Sequence, residues 1–201
     1  MPYLILARHG ESTYNRENRF TGWLDVPLTD VGRREALGIA TKINGLQIDT
    51  AYSSALQRTV ESLNIVLEEL HLLHIPVINA PQLNERKYGD LQGLNKKETA
   101  DRFGVGLVLS WRRSYTSMPP HGESLQQAGY RILKFFHAMI LHDVLAGLNT
   151  LVIAHGNTLR VIVKELDHVT DEEIVDVNIA TGEVIVYEYE TLAHTVKKIC
   201  L

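Results

Sequence analysis

Two short apolar runs, far apart in the chain, each end in a histidine followed by a glycine. The first closes with Arg8-His9-Gly10 and the second with Ala154-His155-Gly156. A short apolar run of this kind predicts a buried strand of a parallel sheet, and ligands bind beyond the carboxyl ends of such strands. A single histidine in this position is more often a structural residue, so it is the repetition that indicates a site. Two parallel strands ending in this way can bring both imidazoles to one rim of the sheet.

Predicted strands and helices alternate along the rest of the chain. Strands are predicted over 3–7, 49–53, 76–79, 151–154, 183–188 and 195–199, and helices over 29–45, 56–70, 96–102, 124–144, around 159–162 and from 170. The residues expected to face the core include Val31, Ala36, Leu37, Ala40 and Ile43 of the first helix and Leu125, Ala128, Ile132, Phe136 and Met139 of the helix over 124–144. This alternation predicts an α/β fold with three layers, α/β/α, and a mostly parallel central sheet, in a single domain over 1–201.

The composition argues against several classes of protein. At 201 residues, of which 45% are hydrophobic, the chain can bury one large core. Its formal net charge of -4 argues against a general binder of nucleic acids or membrane surfaces, so a phosphate site would have to be a local cationic pocket. The one cysteine, Cys200, allows no internal disulfide, and no segment has the apolar length of a signal peptide or a membrane span. We therefore expect a cytoplasmic protein.

Polar residues near the first His-Gly pair suit a phosphate ligand. Gly10 lets the backbone turn close to a ligand, while Ser12 and Asn15 supply hydroxyl and amide groups that can bond phosphate oxygens. Arg8 adds a planar charge that can bind phosphate through two hydrogen bonds. Arg58 could be a surface arginine, but it follows another predicted strand and begins a helix, which favours the same site.

The motifs around the two histidines, Arg8-His9-Gly10-Glu11-Ser12 and Ala154-His155-Gly156-Asn157, resemble those of the histidine phosphatase superfamily. Five further blocks are similar to the cofactor-dependent phosphoglycerate mutases, and they lie at 20–23, 84–89, 91–96, 111–113 and 178–182. Together the blocks run from residue 3 to about residue 189. The first motif alone indicates only the superfamily, and the later blocks indicate the mutases and a mutase-like fold.

This resemblance implies interconversion of 3-phosphoglycerate and 2-phosphoglycerate through a phosphohistidine, with 2,3-bisphosphoglycerate as the primer. His9 would be the nucleophile, because a neutral imidazole can attack phosphorus near pH 7. Arg8, Arg58 and His155 would stabilise the transferring group, and Glu85 would exchange a proton with the substrate hydroxyl. The predicted substrate-binding residues are Arg8, Ser12, Asn15, Thr21, Gly22, Arg58, Glu85, Tyr88, Lys96, Arg112, Arg113, Gly156 and Asn157.

Several of these residues also have a plainer interpretation. Glu85 could be a surface partner of Arg86 or Lys87, and the pair Arg112-Arg113 could be a solvated face. Their match to the mutase blocks favours the site instead. There, the arginine pair would hold the carboxylate of a phosphoglycerate.

The sequence indicates neither a metal site nor a nucleotide site. His71 and His74 share a helix face, but no carboxylate or cysteine nearby completes a metal site. Gly104-Val105-Gly106 lacks the third glycine and the preceding strand of a dinucleotide-binding loop. The expected partners are small phosphoglycerates, without nucleic acid or membrane, and assembly into a homo-oligomer is left open.

Two other functions remain as alternatives. A phosphatase of broader range would use the same nucleophile and acid/base and would release phosphate to water. A catalytically silent scaffold would only bind a phosphorylated ligand, and the complete set of catalytic residues argues against it. The chain also departs from the pattern of the mutases. It lacks a stretch that the longer mutases carry between Pro120 and Gly122. In addition, Thr59 and Ser62 replace a common alanine and threonine.

Overall fold

In a computed structural model, which describes residues 1–190 and 195–199, six strands of the described chain form one sheet. They are β1 (Tyr3–Arg8), β2 (Thr50–Ser53), β3 (Val77–Asn79), β4 (Thr150–Ala154), β5 (Val184–Glu190) and β6 (Thr195–Ile199). Their order is β3-β2-β4-β1-β5-β6. Strands β3, β2, β4 and β1 are mutually parallel, while β5 runs antiparallel to β1 and β6 antiparallel to β5. The predicted mostly parallel sheet is confirmed. Cys200, the one cysteine, lies outside the described residues.

Helices connect the strands and cover both faces of the sheet. They are α1 (Thr13–Arg16), α2 (Asp30–Ile43), α3 (Gln57–Glu69), α4 (Lys96–Phe103), α5 (Val105–Arg113), α6 (Leu125–Phe135), α7 (Leu141–Leu145) and α8 (Gly156–Leu166). A π-helical turn, Phe136–Ile140, joins α6 to α7, and 3₁₀ turns occupy Pro81–Leu83, Gly89–Leu91 and Glu173–Val175. The helix α5 is not among the helices predicted from the sequence.

Alternate residues of the central strands face opposite layers. On one face, Leu6 and Val152 belong to a cluster that includes apolar residues of α6, the π turn and α8. On the other face, Ile5 and Ile153 pack in a cluster with residues of α2 and α3. Because side chains alternate along a strand, burial on both faces accounts for the apolar runs Leu4–Ala7 of β1 and Leu151–Ala154 of β4. The three-layer α/β/α arrangement is therefore confirmed.

Two predicted core positions of α2 and one of the long helix are wrong. Val31 and Leu37 are each 41% exposed, and α2 instead turns Gly32 inward, against the backbone that follows β1. Met139 is 42% exposed, whereas Ile140 is fully buried. The π turn inserts an extra residue into the helical repeat, which moves the buried position from 139 to 140.

Two predicted absences can be compared with the described residues. None of the described helices has both the length and the apolar character that crossing a membrane requires. The described residues also include no group of three or more His, Cys, Asp or Glu side chains placed to hold a metal ion. His71, considered above as a metal ligand, is exposed just beyond α3.

Candidate active site

The register of the sheet brings the two histidines together. β1 pairs with β4 so that Arg8 lies opposite Ala154, and each strand ends one residue before its histidine. The backbone N–H of His9 donates to Ala154 O at 3.1 Å. The ring centroids of His9 and His155 are 5.1 Å apart, in an edge-to-face arrangement. Both imidazoles thus lie at one rim of the sheet.

One nitrogen of His9 is available as a nucleophile. Its Nδ1 lies 2.6 Å from Gly10 O, and because a carbonyl oxygen can only accept, Nδ1 carries the proton and Nε2 keeps its lone pair. Burial lowers the pKa of His9 well below 6.5, and the nearby charges of Arg58 and Arg8 lower it further. The ring is therefore neutral at pH 7, the form in which imidazole attacks phosphorus.

Close backbone packing fixes the turn that carries His9. A Cβ at Gly10 would lie 2.0 Å from Gly32 O, and a Cβ at Gly32 would lie 2.1 Å from Glu11 O. The N–H of Gly10 donates to Ser62 Oγ at 3.1 Å. Glycine at both positions therefore lets α2 and α3 support the loop directly behind His9.

His155 is fully buried at the N-terminus of α8. Its Nε2 lies 2.8 Å from Ser54 Oγ, while its Nδ1 is buried without a hydrogen-bond partner among the described residues. Burial, followed by the charge of Arg58, lowers the pKa of His155 well below 6.5. His155 is therefore also neutral in the free protein.

Two arginines bring positive charge to the histidines. Arg8 Nη1 donates to Ile179 O at 2.7 Å, and Arg8 Nε is buried without a partner among the described residues. Arg58, which is 1% exposed, donates to Gly22 O at 2.9 Å and to Leu24 O at 3.0 Å. In the described part of the chain, neither guanidinium lies within 4.0 Å of a carboxylate oxygen. Buried charge without a counterion is costly, so this pair favours an anionic ligand.

Glu85 is a buried carboxylate and not a surface partner of its basic neighbours. Its Oε1 accepts from the backbone N–H of Arg86 at 2.7 Å, and its Oε2 accepts from the N–H of Asn157 at 3.4 Å, in the first turn of α8. The backbone carbonyl of Glu85 accepts from Arg131 Nη2 at 2.9 Å and from the indole N–H of Trp23. Hydrogen bonds thus hold both the side-chain carboxylate and the backbone carbonyl of Glu85 in place.

A cavity beside these groups brings together most of the predicted binding residues. It is lined by Arg8, His9, Asn15, Thr21, Gly22, Arg58, Glu85, Tyr88, Lys96, Arg112, Arg113, Gly156 and Asn157. Five further lining residues, to which the sequence analysis assigned no role, are Arg19, Phe20, Arg160, Asn178 and Ile179. Among these described residues, seven side chains are cationic and one, Glu85, is a carboxylate, although the chain carries a net charge of -4. The cavity is the local cationic pocket that a phosphate ligand requires.

Ser12, predicted to bind substrate, is fully buried and is not among the residues that line the cavity. It caps the N-terminus of α1, and its backbone N–H and its hydroxyl donate to Asn15 Oδ1 at 3.0 and 2.8 Å. The N–H of Asn15 donates in return to Ser12 Oγ at 3.3 Å. The structure thus gives Ser12 a position from which it orients Asn15, which does line the cavity.

Lys96 and Tyr88 also line the cavity. Burial lowers the pKa of Lys96 to about 8, with further contributions from the charges of Arg112 and Arg8. Tyr88 Oη accepts from Asn157 Nδ2 at 3.2 Å. Lys96 therefore keeps most of its charge at pH 7 and becomes progressively neutral above pH 8.

Two buried arginines hold the end of α5, where Arg112 and Arg113 lie. Arg86 Nη2 donates to Trp111 O at 2.7 Å, and Arg160 Nη2 donates to Arg113 O at 2.8 Å. Positive charge at the C-terminus of a helix is also favourable to the helix dipole. Arg86 and Arg160 thus position the arginine pair at the cavity, a role that the sequence analysis missed.

The short segment between Pro120 and Gly122 packs against the loop that follows Glu85. The N–H of Asp90 donates to Pro120 O at 3.0 Å. Gly89 has a φ of +54°, and a Cβ there would lie 2.0 Å from Pro120 O. The loop is therefore supported by this tight crossing, although only one residue separates Pro120 from Gly122.

Comparison with known proteins agrees with this geometry. The profile of the histidine phosphatase superfamily (branch 1) matches residues 4–200. A 2,3-bisphosphoglycerate-dependent phosphoglycerate mutase of Parvibaculum lavamentivorans is 48% identical over 197 residues, covering 97% of this chain and 94% of the relative. A protein named 2,3-bisphosphoglycerate-dependent phosphoglycerate mutase 2, from Gloeobacter violaceus, is 45% identical over 190 residues, covering 94% and 87%. The solved structure of Bacillus stearothermophilus YhfR shares the fold, with a TM-score of 0.85 at 24% identity over 98% of this chain and 95% of that one. The chain therefore belongs to the histidine phosphatase superfamily and, within it, to the family of 2,3-bisphosphoglycerate-dependent phosphoglycerate mutases.

Proposed function

We propose that the protein interconverts 3-phosphoglycerate and 2-phosphoglycerate, a step of glycolysis and gluconeogenesis, in the cytoplasm. The observation that carries this proposal is the unprotonated Nε2 of His9 at a cavity lined by seven cations and one carboxylate. A phosphoglycerate bears both a phosphate and a carboxylate, and the cations suffice for both. The names of the relatives at 48% and 45% identity support the same substrate.

His9 carries the phosphoryl group between the two halves of the reaction. Its Nε2 attacks phosphorus, the P–O bond to the substrate breaks, and the group remains on His9 until a substrate hydroxyl takes it back. Arg8 and Arg58 hold the phosphoryl oxygens, where charge develops in the transition state. Loss of one such donor is expected to lower kcat on the order of 100-fold.

Glu85 moves the proton that each half-reaction requires. The departing substrate oxygen gains a proton when the P–O bond breaks, and the attacking hydroxyl loses one when the new bond forms. The two hydroxyl groups of a glycerate are adjacent, so one carboxylate can serve both steps. The position of Glu85, fixed by the N–H groups of Arg86 and Asn157, supports this role.

The carboxylate of the substrate would be held by Lys96, Arg112 and Arg113. All three line the same cavity as His9, and the buried Arg86 and Arg160 hold the end of α5 that carries the arginine pair. 2,3-bisphosphoglycerate supplies the phosphoryl group that first loads His9. The excess of cations over carboxylates fits a molecule with two phosphates and a carboxylate, and the same residues would hold it.

A coupled mutase assay tests the proposal. The purified protein is expected to convert 3-phosphoglycerate to 2-phosphoglycerate, faster with added 2,3-bisphosphoglycerate, and His9→Ala is expected to abolish the conversion. Arg112→Ala is expected to raise KM because it removes a carboxylate-binding charge. Steady release of phosphate from several unrelated esters, unaffected by Arg112→Ala, would instead indicate a broad-range phosphatase.

A further inference from the structure

A row of hydroxyl groups behind His155 determines which of its ring nitrogens carries a proton. His155 Nε2 lies 2.8 Å from Ser54 Oγ, which in turn lies 2.6 Å from Thr59 Oγ1. All three side chains are fully buried. Each hydroxyl has a single proton to donate, so the direction of the row can be worked out from its far end.

The far end is a carbonyl group, which can only accept. Thr59 Oγ1 lies 2.7 Å from Leu56 O, so Thr59 gives its proton there. Ser54 must then donate to Thr59. Ser54 Oγ already accepts from the N–H of Leu56 at 3.1 Å, and its remaining lone pair faces His155. His155 Nε2 must therefore carry the proton of that hydrogen bond.

This direction leaves His155 with an unfilled acceptor. A neutral ring protonated at Nε2 has its lone pair on Nδ1, the atom that is buried without a partner in the described chain. His9 is the reverse, with its proton on Nδ1 and its lone pair on Nε2. His9 lines the cavity, so its Nε2 can meet water there, whereas His155 is completely buried. An added proton therefore binds more favourably to His155 Nδ1, whose lone pair has no partner in the described chain, than to His9 Nε2.

We propose that a tetrahedral dianion enters this site together with one proton, which adds to His155 Nδ1. The proton comes from solvent and forms an N–H bond with the Nδ1 lone pair, and no other bond changes. The resulting imidazolium stabilises the anion held beside His9. Ser54 and Thr59 act as positioning residues, because they force the added proton onto Nδ1. The inference rests on the proposed function in that it uses the same phosphate site.

The charges around His155 are consistent with an anion-dependent gain of a proton. Arg58, Arg8 and His9 face it from α3 and from the end of β1, and Arg131 acts on it from α6. The three arginines oppose protonation in the free protein, whereas His9 is neutral. The carboxylate of Glu85 contacts the same helix terminus through the N–H of Asn157. A bound dianion offsets the surrounding positive charge and so makes protonation of His155 favourable.

Sulfate is a suitable probe, because it is a tetrahedral dianion that carries no proton near pH 7. Calorimetric titration of the intact protein in two buffers of different ionisation enthalpy is expected to show uptake of about one proton per sulfate. The sulfate Kd is then expected to rise about tenfold for each pH unit between pH 6.5 and 7.5. Thr59→Val frees the Ser54 hydroxyl to donate to Nε2. In that variant the sulfate Kd is expected to increase less than about threefold per pH unit, and Thr59→Ser is expected to restore the tenfold increase. Titration of Lys96 is common to all variants and cancels in the comparison.

Nitrogen NMR of the histidine rings provides a second readout that does not require a variant to fold. In the free protein His155 is expected to be protonated only at Nε2, and with sulfate at both nitrogens, while His9 stays neutral. Sulfate binding without proton uptake, or with the proton on His9, would overturn the inference and leave the mutase proposal intact. Proton uptake in a protein that lacks mutase activity would overturn the proposed function alone.

Discussion

Ser62 binds the backbone of Gly10, the residue whose carbonyl orients His9, and removing the Ser62 hydroxyl has a cost that the structure defines. Ser62 Oγ accepts from the N–H of Gly10 at 3.1 Å and donates to Arg58 O at 2.7 Å. The carbonyl of the same glycine receives the Nδ1 proton of His9. Ser62→Ala would leave the Gly10 N–H buried without a partner, which costs about 1–3 kcal/mol in the free energy of unfolding.

Urea unfolding measures this cost directly. With a slope of about 2–3 kcal/mol/M, the midpoint for Ser62→Ala is expected to fall by about 0.3–1.5 M with the slope unchanged. Ser62→Thr keeps the hydroxyl and serves as the matched control, with a much smaller shift. The phosphorylation of His9 is also expected to slow in Ser62→Ala, because Gly10, whose carbonyl orients the imidazole, is held less firmly. An unchanged midpoint in Ser62→Ala would refute the assigned hydrogen bonds.

Three further predictions follow from the buried charges. Because the pKa values of His9 and His155 are lowered in the folded state, the unfolded chain binds more protons below pH 6.5, and stability is expected to fall there by up to about 2.7 kcal/mol per pH unit. Urea titrations between pH 7.5 and 5.5 would show this, with His155→Gln removing about half of the slope. Because the pKa of Lys96 is about 8, the KM for 3-phosphoglycerate is expected to rise above pH 8 in steady-state assays, and Lys96→Arg to remove that rise. Arg160→Met removes the donor to the last carbonyl of α5. This variant is expected to raise KM on the order of tenfold, about 1.4 kcal/mol of binding free energy, with little change in kcat. Arg160→Lys is expected to raise KM less.

Much of the fold could be predicted because local patterns and packing agree. The apolar runs before His9 and His155 became adjacent parallel strands, and the shared ending placed both rings at one rim. The helix at α5 was missed because its apolar residues are largely exposed, with Val105 70% and Leu109 52% exposed. The exposed Met139 could not be foreseen, since a π turn leaves no simple signature in apolar spacing.

Some residues of the candidate site could likewise be predicted from the sequence, and others could not. Residues in compact motifs, such as Arg8 and Glu85, could be named because the motif predicts their surroundings. Arg160 was missed because an arginine on a helix is normally a surface residue, although it lies inside the apolar stretch Leu159–Val163 of α8 and is 3% exposed. The orientation of a ring such as His155 depends on contacts far apart in sequence, which spacing cannot reveal. The catalytic roles and the single domain stay predictions.

Identification of the phosphorylated atom tests the central claim most directly. After incubation with 2,3-bisphosphoglycerate, the protein is expected to carry one acid-labile phosphoryl group, which peptide mass spectrometry would locate at His9 and phosphorus–nitrogen NMR coupling at Nε2. His9→Ala is expected to carry none. A stable phosphoryl group on another residue, or attachment at Nδ1 of His9, would contradict the account.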